Sequence, residues 1–192
     1  LIGPSGPTAP TDGLHIYTKA GPLWNKQLSD GTVDATEDSD PVGWVLNAGS
    51  FDELTQADPG SRPLLKWDAV LEQWYWQFDG VDDSLVLEFA AVDDIELMLA
   101  VSSSHSADRQ GILRLNTIGT RTGIFHEPSL SRMYGRVSEG ASAFRAYTAG
   151  NLIVARVSVL DDLHSFSVNT EATAGTNPTS TALDRVELGV EG

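Results

Sequence analysis

Residues 74–89 read WYWQFDGVDDSLVLEF, and this stretch decides the fold class. Aromatic rings stand at every second position from Trp74 to Phe78, a period that predicts a β-strand with three rings on one face. Asp79 and Gly80 tolerate a positive φ and suit a turn, and the apolar alternation resumes at Leu85. The stretch therefore predicts two strands that form a hairpin or that connect two sheets of a sandwich.

Composition narrows the class of protein. The 192 residues are 41% hydrophobic and 20% charged, as in a folded β domain with a full core. The net charge of −15 repels phosphates and anionic lipids, so we expect neither a nucleic-acid nor a membrane partner. The chain has no cysteine, which excludes disulfides, thiolate metal sites and a cysteine nucleophile.

The chain divides into an arm and a domain. Residues 1–12 contain three prolines and two glycines, which disfavour both helix and central strand. We predict an extended N-terminal arm over residues 1–12 and a single domain over residues 13–192.

Short alternating apolar runs recur along the domain and predict eleven to thirteen strands. The run at residues 95–101 is almost wholly apolar and predicts a central strand. No series of apolar residues keeps the helical period long enough to predict a helix. Only a short turn near Asp93 or Ser129 is expected. The fold class predicted is all-β, a two-sheet antiparallel β-sandwich or jelly roll. The predicted strands are residues 13–20, 64–66, 74–78, 84–89, 95–101, 111–116, 123–126, 133–137, 143–148, 152–159, 163–169 and 183–190.

Four elements in the first half carry a family resemblance. In chain order they are the strand Gly13-Leu14-His15-Ile16-Tyr17, then Pro41-Val42-Gly43-Trp44, then Thr55-Gln56-Ala57 with Arg62-Pro63, and finally the stretch from Phe78 through Asp82-Asp83 to Leu85. In order and spacing they resemble the concanavalin A-like lectin/glucanase jelly rolls, also called laminin-G-like, of tailed-phage virion proteins and bacterial surface proteins. The resemblance implies the same jelly-roll fold.

The chain departs from that pattern in two places. Leu46 stands where relatives carry an aspartate after the tryptophan. The closing strand and helix of the family do not follow Gly192, so we expect a chain that is cut short or a sheet completed by the arm or by a neighbouring chain.

Catalysis is not expected. Glucanases that share this fold place three carboxylates along one strand, two of them as nucleophile and acid. The nearest candidate here is Asp93-Asp94-Ile95-Glu96, where only Asp94 and Glu96 share a face and the third carboxylate is missing. The sequence predicts a protein that is not an enzyme.

Asp79, Asp82 and Asp83 are the candidate metal ligands, because carboxylates gathered in one loop suit Ca²⁺. The same residues also cap backbone N–H groups in turns, which is the alternative interpretation. Asp38 and Asp40 form a second candidate pair. No other cofactor is expected, and the four histidines lack ligand spacing.

A sugar-binding site is suggested by the tryptophans, because exposed indole rings stack on pyranose faces. Trp67 lies between polar Lys66 and Asp68 and is the best candidate for an exposed ring. Trp44 and Asn47 are further candidates.

The resemblance implies a non-enzymatic virion structural protein of a tailed phage, either a capsid decoration or a tail or fibre component. Its partners would be other virion proteins, copies of itself or a host-surface glycan. The alternative is a carbohydrate-binding module or adhesin domain of a bacterial surface protein, located outside the cell.

Overall fold

The computed structural model is almost entirely antiparallel β-structure, which confirms the predicted all-β class. It describes residues 18–48, 51–92, 95–103, 110–115, 122–137, 141–146, 151–160, 163–168, 171–176 and 183–189. Within these ranges, no helix is long and apolar enough to cross a membrane. Two single 3-10 turns, Pro59–Ser61 and Pro128–Leu130, interrupt the strands, and the second lies where the sequence predicted a turn near Ser129.

Fifteen strands lie in the described ranges. They are β1 Asn25–Lys26, β2 Trp44–Val45, β3 Leu54–Thr55, β4 Leu64–Asp68, β5 Gln73–Gln77, β6 Leu85–Val92, β7 Ile95–Val101, β8 Gln110–Leu115, β9 Thr122–Glu127, β10 Arg132–Val137, β11 Ala141–Ala146, β12 Ile153–Leu160, β13 Leu163–Val168, β14 Glu171–Thr176 and β15 Leu183–Leu188.

The chain forms two compact units, Leu1–Asp79 and Gly80–Gly192. In the first unit, the two-residue strands β1, β2 and β3 pair in that order, and β4 pairs with β5. Its core is a set of fully buried apolar side chains: Ala35, Val42, Val45, Leu54 and Leu65. Burial of such side chains is the main stabilising contribution to a small β unit of this kind.

The second unit contains strands of two sheets. In one, the strands run in the order β6-β15-β8-β9-β10-β11, and in the other in the order β14-β13-β12-β7. Strand β15 lies between β6 and β8, paired with both. Every described pairing is antiparallel, as expected for a sandwich built from hairpins and longer connections.

A close contact joins the two sheets of the second unit. Gly135 on β10 faces Phe166 on β13, and a Cβ atom built on Gly135 would lie 2.3 Å from Cγ of the ring. Phe166 is 1% exposed. The ring therefore fills the space that a side chain at position 135 would need, and the two sheets pack face to face at this point. Leu113, Leu115, Ile124, Met133 and Ala155 are buried with them.

The structure corrects the predicted hairpin across residues 74–89. Strand β5 pairs with β4, and β6 pairs with β15, so the loop at Asp79-Gly80 connects strands of different sheets. Of the alternative interpretation, a connection between two sheets of a sandwich, the structure confirms that β5 and β6 belong to different sheets, and β5 lies in a two-stranded sheet with β4. Gly80 has a φ of 77°, the left-handed conformation that the sequence predicted there.

The predicted position of β7 is also wrong. Its bounds agree with the prediction, but it pairs with β12 and stands at the end of its sheet in the described strand order. Met98 and Ala100 are exposed while Leu97 and Leu99 are half-buried, so one face of this strand is open to solvent. The first predicted strand falls largely outside the described residues, and the stretch from Thr18 to Ala20 is not a strand. The predicted arm, residues 1–12, lies wholly outside the described residues.

Candidate functional site

The best candidate site lies on the hairpin of β4 and β5, within the first unit. In the register of this pair, Leu65 stands opposite Trp76 and Trp67 opposite Trp74, all on one face. On the other face, Lys66 stands opposite Tyr75. The alternation predicted for residues 74–78 is confirmed, because Trp74 and Trp76 are half-buried while Tyr75 is exposed.

Trp67 and Trp74 form a cross-strand aromatic pair. Their ring centroids are 5.3 Å apart and the ring planes are tilted by 58°, within the range of favourable aromatic packing. Trp67 nevertheless remains 43% exposed, as the sequence predicted from its polar neighbours. Trp74 thus supports an indole ring that retains a large solvent-facing surface.

The loop of residues 38–40 covers the edge of β4 that β5 leaves open. The backbone N–H of Ser39 donates to the carbonyl of Leu65 at 2.7 Å, and the N–H of Leu65 donates to the carbonyl of Asp40 at 2.8 Å. The backbone N–H of Trp67 donates to Oδ1 of Asp38 at 2.9 Å. Strand β4 is therefore hydrogen-bonded on both edges, which fixes the backbone that carries Trp67.

The carboxylate of Asp38 accepts hydrogen bonds from three donors at this edge of β4. Besides the N–H of Trp67, the ammonium of Lys66 donates to Oδ2 at 3.0 Å and the hydroxyl of Ser39 donates to the same oxygen at 3.1 Å. The bond from the Trp67 N–H, followed by the bond from Lys66, lowers the pKa of Asp38 below its ordinary value of 3.8. Asp38 is therefore a carboxylate that positions the tryptophan strand.

A buried asparagine anchors the inner face of β5. Oδ1 of Asn25 accepts a hydrogen bond from Nε1 of Trp76 at 3.1 Å and from the backbone N–H of Gly21 at 2.9 Å. Asn25 is completely buried, and its Nδ2 has no hydrogen-bond partner among the described residues. Two donors thus depend on one buried amide oxygen, and its loss would leave both unsatisfied.

The turn between β4 and β5 is polar in its backbone contacts and apolar at its surface. Oδ1 of Asp68 accepts from the N–H groups of Val70 and Leu71, at 2.8 and 3.0 Å, and Glu72 has a φ of 50°. Val70 is 90% exposed and Leu71 is also exposed. This apolar pair was not among the predicted site residues, although two aliphatic residues that stand between Asp68 and Glu72 in a turn indicate an exposed apolar tip.

Trp44 and Asn47, the other predicted sugar-binding residues, have local structural contacts. Trp44 is half-buried in β2, and a Cβ atom on Gly31 would lie 3.5 Å from its ring. Nδ2 of Asn47 donates to the carbonyls of Phe51 and Asp52 at 3.0 and 3.2 Å. Their predicted role toward a sugar stays a prediction.

The predicted metal ligands do lie together. Asp79, Asp82 and Asp83 each offer a carboxylate oxygen, and these oxygens lie within 4.8 Å of one another. Oxygens bound to one Ca²⁺ at about 2.4 Å have separations of this order, so the three residues fit such an ion in number of charges and spacing. Each also has other interactions, which agrees with the alternative role in the turn. Calcium binding stays a prediction.

Asp40, in the second predicted metal pair, caps a turn: its Oδ2 accepts from the N–H groups of Thr36 and Glu37 at 2.8 and 2.9 Å. Asp38 has the contacts given above. The predicted carboxylate strand cannot be placed in the same way, because Asp93, Asp94 and the side chain of Glu96 lie outside the described residues.

Comparison with known proteins supports the fold. No family model and no curated protein matches the sequence. Among solved structures, the chain is similar to the sialidase of Trypanosoma rangeli in complex with 2-keto-3-deoxy-D-glycero-D-galacto-2,3-difluoro-nononic acid. The TM-score is 0.59 at 10% sequence identity, and the match covers 100% of this chain but 31% of the sialidase. The chain thus spans less than a third of that protein, and the likeness concerns the fold.

Proposed function

We propose that the chain is a non-enzymatic carbohydrate-binding module with a concanavalin A-like fold, and that Trp67 stacks on the face of a sugar ring. The observation that carries the proposal is the half-exposed Trp67, supported by Trp74 from across the hairpin and by Asp38 from the open edge. A ring held in place loses little entropy on binding. Its apolar face matches the C–H face of a pyranose.

The similarity to a sialidase supports this proposal only through the fold, because at 10% identity it carries no information on the ligand.

The test is a glycan array followed by calorimetry with the strongest ligand. We expect Trp67→Ala to lower the affinity about 5- to 150-fold, because the loss of an aromatic stacking surface costs about 1–3 kcal/mol. Trp67→Phe should retain part of the binding, since a smaller ring still offers a stacking face.

Tyr75→Ala is the matched control. Tyr75 is exposed to nearly the same degree as Trp67, 41% against 43%, but it lies on the opposite face of the same hairpin. Its loss should leave glycan binding unchanged. A blank array, or equal loss of binding in the two variants, contradicts a site at Trp67.

The setting we propose for this module is the virion of a tailed phage, as a capsid decoration or a tail or fibre component that binds other virion proteins or a host glycan. The support is the sequence motif order from Pro41-Val42-Gly43-Trp44 to Leu85. A bacterial cell surface is the alternative setting. Labelling of intact phage particles by an antibody against this chain, viewed by electron microscopy, supports the first setting, and labelling of cells alone supports the second.

A further inference from the structure

Strand β7 combines an open edge with an exposed apolar face. In the strand order of the described residues it stands last and pairs with β12 alone. Met98 is 69% exposed, and Ala100 lies on the same face. Val154, which stands opposite Ala100, and Leu152, just before β12, are exposed as well. We call these four residues, together with the edge of β7 away from β12, the β7 surface. A contiguous apolar surface of this kind is typical of a contact with protein.

Strand β7 lacks the features by which edge strands commonly resist pairing. Such strands are very short, or they carry lysine, proline or a β-bulge. The sequence of β7 is IELMLAV, seven residues without lysine or proline. Its register with β12 runs from Ile95 to Val101 without a shift, so it has no bulge. The edge is therefore suited to pairing with a further strand.

The charge at this surface does not favour a foreign partner. By register, the positions on the exposed face of β7 and β12 include Glu96 and Arg156, one charge of each sign. The net charge of −15 attracts basic proteins to the chain in general. The β7 surface itself has no net charge that would direct such a protein to it.

The strand that fits this edge best is β7 of a second copy. Two copies related by a two-fold axis at Met98 pair antiparallel over the whole strand, with Ile95 opposite Val101. Glu96, the one charged residue of the strand, then stands opposite Ala100 and not opposite its own counterpart. The exposed apolar residues of both copies also meet on one face of the joined sheets.

We infer that the β7 surface joins two copies of this chain into a dimer, through a continuous antiparallel sheet with four strands from each copy. The inference does not depend on the sugar site at Trp67, which lies on the hairpin of β4 and β5 in the other unit. Because each copy carries a net charge of −15, their long-range repulsion opposes the dimer. Added salt screens that repulsion and should strengthen the association.

Sedimentation equilibrium over a range of protein and salt concentrations tests the dimer. Met98→Lys should weaken it more than about tenfold, because two ammonium groups would then face each other across the two-fold axis. Leu130→Lys is the matched control, since Leu130 is also exposed, at 53%, but lies in the 3-10 turn between β9 and β10 of the other sheet. It should leave the association unchanged. The melting temperature of each variant shows that a lost dimer does not reflect a lost fold.

Single cysteines test the register, because the natural chain has none. Met98→Cys should cross-link to itself through a short thiol cross-linker, since residues opposite each other on antiparallel strands have Cβ atoms about 4.5–5.5 Å apart. Glu96→Cys and Ala100→Cys should cross-link to each other when mixed. Neither should cross-link to itself, because like positions are then four residues, about 13 Å, apart along the strand.

The outcomes that overturn the inference are distinct. A protein that stays monomeric at every concentration and salt overturns it. Slow amide hydrogen exchange along both edges of β7 in that monomer shows that another segment of the chain covers the edge, and fast exchange leaves the edge to a different protein. A dimer weakened equally by Met98→Lys and Leu130→Lys, or strong cross-linking of Glu96→Cys to itself, overturns the assignment of the interface to β7.

Discussion

At the scale of single residues, glycine is required at a few positions because a neighbouring backbone leaves no space for a side chain. Gly43 is one of them, because a Cβ atom there would lie 2.6 Å from the carbonyl oxygen of Gln27. Gly123 is another, since its Cβ atom would lie 2.0 Å from the carbonyl oxygen of Leu113, where the register of β8 and β9 shifts. Such residues fix how closely two backbones approach.

Gly80 gives a prediction at this scale. Its φ of 77° is strained for a β-branched residue, so Gly80→Val should destabilise the protein by about 1–3 kcal/mol. Equilibrium denaturation in urea measures the change. Gly80→Asn is the matched control, because asparagine adopts the left-handed conformation more readily and should cost less. Equal stability of the valine variant and the natural protein would contradict a conformational requirement at position 80.

At the scale of elements, sequence patterns predicted most of the longer strands and missed strands with little pattern. Alternation located β7 at its observed bounds and β12 within one residue at each end. It missed β14, whose sequence EATAGT has no apolar alternation, and the two-residue strand β3, which is too short to show a period. Strand pairing was predicted less well, because a turn signal is local and the partner of β6 is distant in the chain.

The candidate site was likewise predictable only in those features that depend on residues close together in the sequence. The polar neighbours of Trp67 indicated its exposure, and period two indicated the inner face of β5. The hydrogen bond from the Trp67 N–H to Asp38 joins residues far apart in sequence, and no local pattern reports such a contact. The hydrogen bond from Trp76 to Asn25 also joins residues that are distant in sequence, so the sequence pattern did not predict it.

Because the carboxylate of Asp38 binds the edge of β4, we expect the stability of the folded protein to depend on pH. The folded-state pKa of Asp38 is lowered by the N–H of Trp67 and by Lys66, so ionised Asp38 favours the folded state. Its contribution to stability is present above the unfolded value of about 3.8 and is lost as the pH falls through the lower folded value.

Thermal unfolding of the natural protein and of Asp38→Asn measures this contribution. The variant should melt at a lower temperature at neutral pH, and the difference between the two proteins should narrow at the acid end of the titration. Asp34→Asn is a suitable control, because Asp34 pairs with Lys26 away from β4. A difference that stays constant with pH would contradict the assigned role of the Asp38 charge.

At the scale of the whole molecule, each unit has its own core, and the second unit depends on contact between its sheets. Phe166 and Gly135 make that contact, and they come from β13 and β10 of different sheets. The pairing of a large ring with a residue that lacks a side chain is a shape match that hydrophobic pattern alone does not reveal.

Gly135→Ala tests that match. The added methyl group overlaps the ring of Phe166 at 2.3 Å, so the variant should lose about 1–3 kcal/mol of stability, the usual cost of overpacking. Phe166→Leu should also destabilise the protein, by opening a cavity. The double variant should be more stable than the sum of the two losses predicts, because the smaller leucine frees space for the methyl group. Simple additivity in urea denaturation would show that the two positions do not interact.

The position of β15 has a consequence for how the second unit folds. Because β15 lies between β6 and β8, neither of these strands has its full set of backbone partners until residues 183–188 have been synthesised. On the ribosome, the growing chain therefore carries two open strand edges through most of the synthesis of this unit, and such edges recruit other chains. Closure between distant segments is also slow. Chaperone demand and yield during expression should consequently depend on β15, which closes both edges at once.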